Sequence, residues 1–600
     1  MTIDELKNLD TSKFTKAAES WSAVSNRSSA ARGRVDHDIL ATLDATQQGF
    51  GADEAKIRLG RLSKNYQYIH AECGMVRTAL TGLAEELAGP QRKLKQALED
   101  AAALKFTVQP DGSVEYPKSP STPAPLVPTP AAPGAMPSLL KPESTPDPNQ
   151  AKAQDIANRI GDALKEAAEI DTRYARVLSK LGADPSLDKT DWRDVAQDMR
   201  DLRTAAGKHF SDVKIPKGKS PKENAEWWRR LSQAERDEYP VLYPDSIGKL
   251  DGLPSDVRDE ANRIVLAQAQ LKAEAELAYL EKHPPGKDAP RYNPITGLPI
   301  QGGGPWEDWF KKKKDLGAQI AGMKEVQQRL DQVGVEGNPD AYLIGFDREG
   351  LGRAIVANGN PDTAEHTAIY VPGTTSRLSD AGKDIAKMTE LWKAANAIPG
   401  TPSVATITWI GYDAPQSAVP VADGDIIPEA AHKSYAYKGA PLLSEFLEGV
   451  RTAQGGADAS HTTVIGHSYG STVVGATSKK YGLGADDIIA IGSPGVLVGH
   501  ASDLDAPKGH VWSQAAAFAN DQVPAGGKAV HLGGDSDLTR YFNGPLGRSI
   551  TQNVPSDREF GANIMKTDSK DHGGYWRSKS VSISNQAAVV TGSYGMVKLD

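Results

Sequence analysis

The chain has 600 residues, with 69 Lys and Arg against 77 Asp and Glu, a formal charge of −8 and a pI near 5.9. That length organises more than one core, two to four domains, and that charge gives no basis for a nucleic-acid partner. A single cysteine, Cys73, excludes an intramolecular disulfide framework and any multi-cysteine metal site, and reads as a small core residue of a helix.

Met1-Thr-Ile-Asp-Glu-Leu-Lys7 has neither the basic start nor the apolar run of a secretory signal, and no stretch approaches eighteen continuous apolar residues. The expectation is a chain without a transmembrane segment, cytoplasmic as synthesised, with export lacking a cleaved signal left open.

Residues 1–108 predict a long helical hairpin of coiled-coil type. Phe14, Ala17, Trp21, Val24, Ser28, Ala31 and Val35 step by three and four along the first arm. Leu59, Leu62, Tyr66, Ile69, Cys73, Val76, Leu80, Leu83 and Leu87 do so along the second. Gln47 to Asp53 supplies the turn and a cap. Such seams either face each other or offer a helical protein partner a surface. Residues 109–150 read as a Pro-rich linker, extended and semi-rigid, whose alternative use is an SH3-type ligand.

Residues 151–212 predict a second helical hairpin, with Ile160, Leu164, Ala167, Tyr174, Leu178 and Leu181 at helical spacing before a break at Gly182–Pro185. Residues 213–336 form a helical connecting segment, in which Lys311–Lys314 reads as a solvated helix face. After about residue 337, short β-rich runs alternate with helices: Tyr342–Phe346, Arg353–Ala357, Thr367–Val371, Val404–Trp409, Thr462–Ile465, Ile488–Ile491 and Val511–Phe518. This pattern predicts a mainly parallel doubly wound sheet with the first two runs as an edge hairpin.

The run Thr462–Ile465 enters Gly466-His-Ser-Tyr-Gly470 and then a small-residue helix, the sequence form of a nucleophile elbow. In a chain with 57 glycines, roughly 0.3 such five-residue matches arise by chance, so the flanking strand and helix carry the assignment of Ser468 as nucleophile. A serine hydroxyl needs an exposed turn, a base and oxyanion donors. The amides of Tyr469, Thr374 and Thr375 are the oxyanion-hole candidates, the latter two in the turn Pro372-Gly-Thr-Thr375 after a strand. Asp521, closing the last apolar run, is the candidate acid, with Asp503, Asp505 and Asp535 as competitors. Of the histidines after Ser468, His510 opens a strand and His500 precedes the acid, which leaves His531 and His572 as alternative bases. His467 is expected to pack under the elbow.

Residues from about 226 onward resemble the actinobacterial family of α/β-hydrolases first defined as a domain of unknown function. The likeness rests on Leu250-Asp-Gly-Leu-Pro254, Arg258-Asp-Glu-Ala-Asn-Arg263, Val371-Pro-Gly-Thr374, Trp409-Ile-Gly-Tyr-Asp-Ala-Pro415, the elbow and Gly492-Ser-Pro-Gly495. The family's Gly-His-x-x-Tyr element, here Asp571-His-Gly-Gly-Tyr575, implies His572 as base, with His531 the runner-up. Two departures stand out: Asp571 in place of a glycine, and Asp521-Gln-Val in place of Asp-Pro-Val. The N-terminal hairpin is similar to WXG-type secreted helical hairpins, although Gly49-Phe-Gly51 stands where their Trp-x-Gly turn would be.

The sequence thus predicts an α/β-hydrolase fold over 337–600, C-terminal to an all-α region. The expected activity is that of a serine hydrolase of ester-type bonds, needing no metal or organic cofactor and acting on a small acyl-ester or lipid-like substrate. The alternative is a secretion-associated or cell-surface interaction protein whose hairpins bind a partner, with the hydrolase as cargo or as a degenerate ligand binder.

Overall fold

Helix α1 (Ser12–Gly33) continues through a widened turn, Arg34–Leu40, into Ala41–Thr46, and the chain then returns as the 54-residue helix α2 (Phe50–Ala103). The computed structural model describes residues 1–118, 147–182, 190–207, 215–286, 304–332, 335–419, 427–533, 541–544, 547–550 and 552–600. Most of the proline-rich linker, the break at Gly182–Pro185 beyond residue 182, and Asp535 lie outside them. The chain divides into two compact units. One comprises Met1–Arg27, Ile69–Ala183 and Gln197–Ser211; the other comprises Ser28–Tyr68, Asp184–Ala196 and Asp212–Asp600.

Polar rungs fix the antiparallel register of the first hairpin. Gln91 Nε2 donates to the carbonyls of Leu6 and Leu9 at 3.0 and 2.7 Å, Ser25 Oγ meets His70 Nδ1 at 2.8 Å, and Ser63 Oγ donates to Asp36 at 3.1 Å. These rungs displace part of the expected seam of the first arm. Trp21 and Val24 are 40% and 39% exposed; Ala18 and Ser25 are buried in their stead, while Ser28 and Val35 of the expected seam are buried as predicted. On α2, Cys73, Leu83 and Leu87 are buried as the spacing predicts, but the whole run Ala71–Met75 is buried too, polar Glu72 included. Continuous burial over more than one turn means that α2 is covered on several sides, whereas a heptad seam buries a single stripe.

In the first unit a third helix, α3 (Pro148–Leu178), packs along the C-terminal half of α2. It is capped by Asp147 and buries Ile156, Ile160, Ala163, Ala167, Ile170 and Tyr174 at steps of three and four. It runs antiparallel to α2, with Arg159 on Asp100 at 2.7 Å and the Tyr174 hydroxyl on Glu86 at 2.6 Å. Helix α4 (Trp192–Ala206) returns beside it through Lys180–Asp201 and through Arg173 to the Ala205 carbonyl.

The second unit holds an eight-stranded mixed sheet. Its strands are β1 (Ala341–Asp347), β2 (Arg353–Asn358), β3 (His366–Val371), β4 (Val404–Ile410), β5 (His461–His467), β6 (Asp487–Ile491), β7 (Val511–Gln514) and β8 (Asn563–Ile564). Their order is 1-2-4-3-5-6-7-8. β1 and β2 pair antiparallel at the edge, as their patterning predicts, β2 pairs antiparallel with β4, and every other pair is parallel. β8, only two residues long, carries too little pattern to be read from sequence.

Strand alternation divides the core between the two faces. Ile369, Val371 and Val464 pack against Leu443, Phe446 and Val473 of α8 (Ser434–Gln454) and α9 (Tyr469–Tyr481). Ala368, Tyr370 and Ile465 pack against Met388, Leu391 and Ile583 of α7 (Ala381–Asn396) and α11 (Val581–Val590). Helix α5 (Ser255–Lys282) and helix α6 (Pro305–Asp331), which carries the lysine run, cover the β1–β2 edge.

The Arg258-to-Arg263 segment fastens that edge. Asp259 accepts the Leu343 amide at 2.6 Å, Arg263 donates to the Ala341 carbonyl at 2.8 Å, and Asn262 donates to the Leu343 carbonyl at 3.0 Å. Among the described residues no helix is long and apolar enough to cross a membrane.

Candidate active site

The parallel strands β3, β5, β6 and β7 all end on one side of the sheet, where ligands collect in open α/β folds. Ser468 stands there, between β5 and α9, at φ 51° and ψ −131°. That positive φ is rare for a residue with a side chain and is the strained turn expected of a nucleophile elbow, although Ser468 itself is buried. The turn is held from below by its own amide on the Ile491 carbonyl at 2.9 Å. From the side it is held by Ser471 Oγ, 2.6 Å from both the Ser468 carbonyl and Ser493 Oγ.

The turn after β3 lies directly against the elbow. A Cβ on Gly373 would come within 2.7 Å of Ser468 Cβ and 2.9 Å of the Tyr469 nitrogen, so only glycine permits the approach. Tyr412, in the loop after β4, donates to the Pro372 carbonyl at 2.9 Å and fixes this turn. The Thr375 amide, one of the three expected oxyanion donors, is spent on the Pro415 carbonyl at 2.8 Å. Residue 375 therefore drops out of the donor set, because an amide already bonded within the fold has no proton free for an oxyanion. The half-buried Thr374 and the first residue of α9, Tyr469, remain.

Asp521 and His572 meet. His572 Nδ1 lies 2.9 Å from Asp521 Oδ2, the carboxylate is buried, and the His572 side chain is 33% exposed. A carboxylate only accepts, so Nδ1 carries a proton, and in the neutral ring Nε2 presents its lone pair. The same Asp521 oxygen accepts the Tyr575 hydroxyl at 2.6 Å, and the other oxygen accepts the Val523 amide at 3.0 Å. Burial pushes the Asp521 carboxyl up, but the bonds from His572 and Tyr575 more than offset it and hold it below the ordinary aspartate value. A Cβ on Gly492, the residue after β6, would sit within about 3 Å of both partners, 2.9 Å from Asp521 Oδ2 and 3.0 Å from His572 Nδ1.

The two departures from the family pattern leave this pair undisturbed. Gln522 occupies the position before the short helix α10 (Val523–Ala529), and the Val523 amide still reaches Asp521. Asp571 accepts the Gly573 amide at 2.8 Å and so stabilises its own turn.

The other candidates lie elsewhere. His531 is exposed at φ 59° on the turn after α10, and His500 pairs with Ser502 at 2.8 Å. His510 binds Asp487 at 3.0 Å, at the opposite end of the strands. Asp505 accepts the Leu483 and Gly484 amides, and Asp503 is exposed.

His467 is buried beneath the elbow, as expected of it. What sequence reasoning missed is Tyr575 as a second donor to the acid, together with Tyr412 and Gly492 as supports. The His-x-x-Tyr spacing was the available signal for the first.

A serine elbow on a mixed sheet of this order defines an α/β-hydrolase domain, and residues 347–527 match the sequence family described as alpha/beta hydrolase. That match contains Ser468 and Asp521 and ends before His572. The chain is 30% identical over 340 residues to the uncharacterized protein Rv2079 of Mycobacterium tuberculosis, covering 55% of this chain and 46% of that one. It is 33% identical over 186 residues to the uncharacterized protein Rv0963c of the same species, covering 29% of this chain and 65% of that one. It thus spans about half and about two thirds of these relatives, respectively. Among solved structures, the esterase PE8 aligns over 28% of this chain and 76% of its own at 18% identity, with a TM-score of 0.20. The siderophore hydrolase EstA of Aspergillus nidulans aligns over 34% of this chain and 80% of its own at 14% identity, with a TM-score of 0.21.

Proposed function

We propose that this chain is a serine hydrolase of ester-type bonds. Ser468 attacks the acyl carbon, and His572 takes the serine proton at Nε2 and returns it to the departing alcohol. Asp521 holds the imidazole in the required tautomer and stabilises the imidazolium. The amides of Tyr469 and Thr374 receive the oxyanion of the tetrahedral intermediate. Water, activated by the same imidazole, then attacks the acyl-enzyme and releases the acid together with free Ser468. The substrate is an acyl ester of small or lipid-like type, and no step calls for a metal or organic cofactor.

The single observation that carries this reading is the Asp521–His572 hydrogen bond of 2.9 Å, formed by two residues 51 positions apart on the side of the sheet that bears the elbow. A buried carboxylate bonded to a half-buried ring is costly to arrange and orients that ring for proton transfer.

The test is Ser468→Ala against wild type, on a panel of p-nitrophenyl esters and with a fluorophosphonate probe. Wild type is expected to label and turn over, and the variant to do neither. A variant with the wild-type rate, or a wild type that neither labels nor hydrolyses any ester of the panel, would overturn the assignment.

A further inference from the structure

His467 immediately precedes the proposed nucleophile but plays no part in the steps above, yet it touches the loop that carries the proposed base twice. Its Nε2 lies 2.9 Å from the main-chain carbonyl of His572, and its ring stacks on the His572 ring with centroids 4.7 Å apart and planes 29° from parallel. A carbonyl only accepts, so His467 Nε2 carries a proton, and in the neutral ring Nδ1 is bare.

Nδ1 faces the Tyr370 hydroxyl at 3.5 Å. That hydroxyl donates to Asp384 at 3.2 Å and accepts from Lys387 at 3.2 Å, while Lys387 also bonds Asp384 at 2.8 Å. Trp576 packs edge-on against the His467 ring at 5.0 Å, and the Lys387 ammonium lies 5.0 Å from the Trp576 ring centroid. The groups facing His467 are therefore Tyr370 from β3, Asp384 and Lys387 from α7, and His572, Tyr575 and Trp576 from the C-terminal loop.

We infer that His467 is a positioning residue: a buried imidazole that clamps the His572 main chain so that Nδ1 of His572 stays on Asp521. This rests on the triad reading above. Burial first, and then the Lys387 and His572 charges, hold the His467 ring well below the ordinary histidine value, which agrees with a neutral clamp. A protonated ring stacked on the base would oppose the imidazolium that forms when His572 takes the serine proton. Anchoring a catalytic loop through the residue before the nucleophile ties base and nucleophile to one strand end, and an error of about 1 Å there costs on the order of 100-fold in rate.

The experiment uses the full chain and three variants. His467→Phe keeps a stacking ring and removes the donor; kcat is expected to fall at least about tenfold with KM changed less than about threefold. His467→Gln places an amide donor near the same carbonyl and is expected to recover most of that loss. Lys387→Met removes the charge, so His467 titrates at higher pH and the acid limb of kcat/KM steepens and moves up. Independently of turnover, selective ¹⁵N-histidine NMR of the resting protein reads the His572 Nδ1 proton, which is expected to be held in wild type and His467→Gln and exchange-broadened in His467→Phe. Loss of turnover in wild type with that proton retained would sink the hydrolase reading and leave the clamp standing. A His467→Phe variant with the wild-type kcat, pH profile and Nδ1 resonance would sink the clamp. Equal impairment of His467→Gln and His467→Phe, accompanied by equal falls in Tm, would reduce His467 to packing.

Discussion

Tyr575 donates its hydroxyl proton to Asp521 Oδ2 at 2.6 Å, the same oxygen that the ring of His572 approaches at 2.9 Å. The Tyr575 hydroxyl in turn accepts the Ala516 amide at 2.9 Å, so it links the acid to the end of β7 as well as to its own loop. Desolvation first, and then the bond to Asp521, push this phenol far above its ordinary value, so it stays a donor at every working pH. Tyr575→Phe leaves the Ala516 amide unsatisfied and Asp521 with one charged bond fewer. Stability is expected to fall by about 1.5–3 kcal/mol in urea denaturation, with a kcat loss smaller than that of the Asp521 variant below.

Asp521→Asn preserves shape but turns the oriented acceptor into an amide that favours the wrong imidazole tautomer. On the triad reading, kcat falls by about 10⁴-fold with KM within a few-fold of wild type, measured on the ester that wild type turns over best. A loss below about tenfold would show that His572 is not the base that Asp521 serves.

Gly492 sits at φ 51° with its hydrogen facing Asp521 and His572. Gly492→Ala is expected to displace the pair, lowering kcat by on the order of 100-fold while the far-UV circular dichroism spectrum stays that of wild type. Full activity in this variant would mean that the two side chains are not held as described.

At the opposite end of the strands, buried Asp487 binds His461 at 3.0 Å, His510 at 3.0 Å, Trp512 at 2.7 Å and Tyr594 at 2.8 Å. Burial raises the Asp487 carboxyl, but its bonds from His461, Trp512 and Tyr594 offset this and leave it lowered; burial lowers His461, but Asp487 offsets this and leaves it raised. The lowered carboxyl contributes stability above its ordinary value, lost as pH falls through the folded one. The raised histidine contributes stability below its ordinary value, lost as pH rises through the folded one. Urea midpoints measured from pH 3 to 9 are therefore expected to fall on both sides of a plateau. Asp487→Asn is expected to remove the His461 share of the alkaline fall while lowering the plateau by about 3–5 kcal/mol, since it breaks a buried charged cluster. An alkaline limb unchanged in the variant would assign that fall to other groups.

The features legible in the sequence are local. β-branched residues before Gly466, small residues after Gly470 and a glycine turn at Gly373 are dictated by close backbone packing, and that chemistry is written in consecutive positions. The sheet with its edge hairpin was legible because short apolar, β-branched runs alternate with helices, and strands buried on both faces read as continuous apolar runs. The seam of the first hairpin was misread at Trp21 and Val24 because periodicity states which positions share a face, while the polar rungs at Ser25 and Asp36 decide which face turns inward.

At Asp521 the folded chain brings His572, the ring that the family resemblance implies, and leaves His531 apart. His531 is ten residues from Asp521 and exposed, whereas His572 is 51 away and bonded to it. Separation along the chain carries no information about a meeting produced by β7, β8 and the C-terminal loop folding back onto one sheet edge. The same holds for the Thr375 amide, which the loop after β4 claims through Pro415, and for the His467 contact that joins the elbow to the loop of its proposed base.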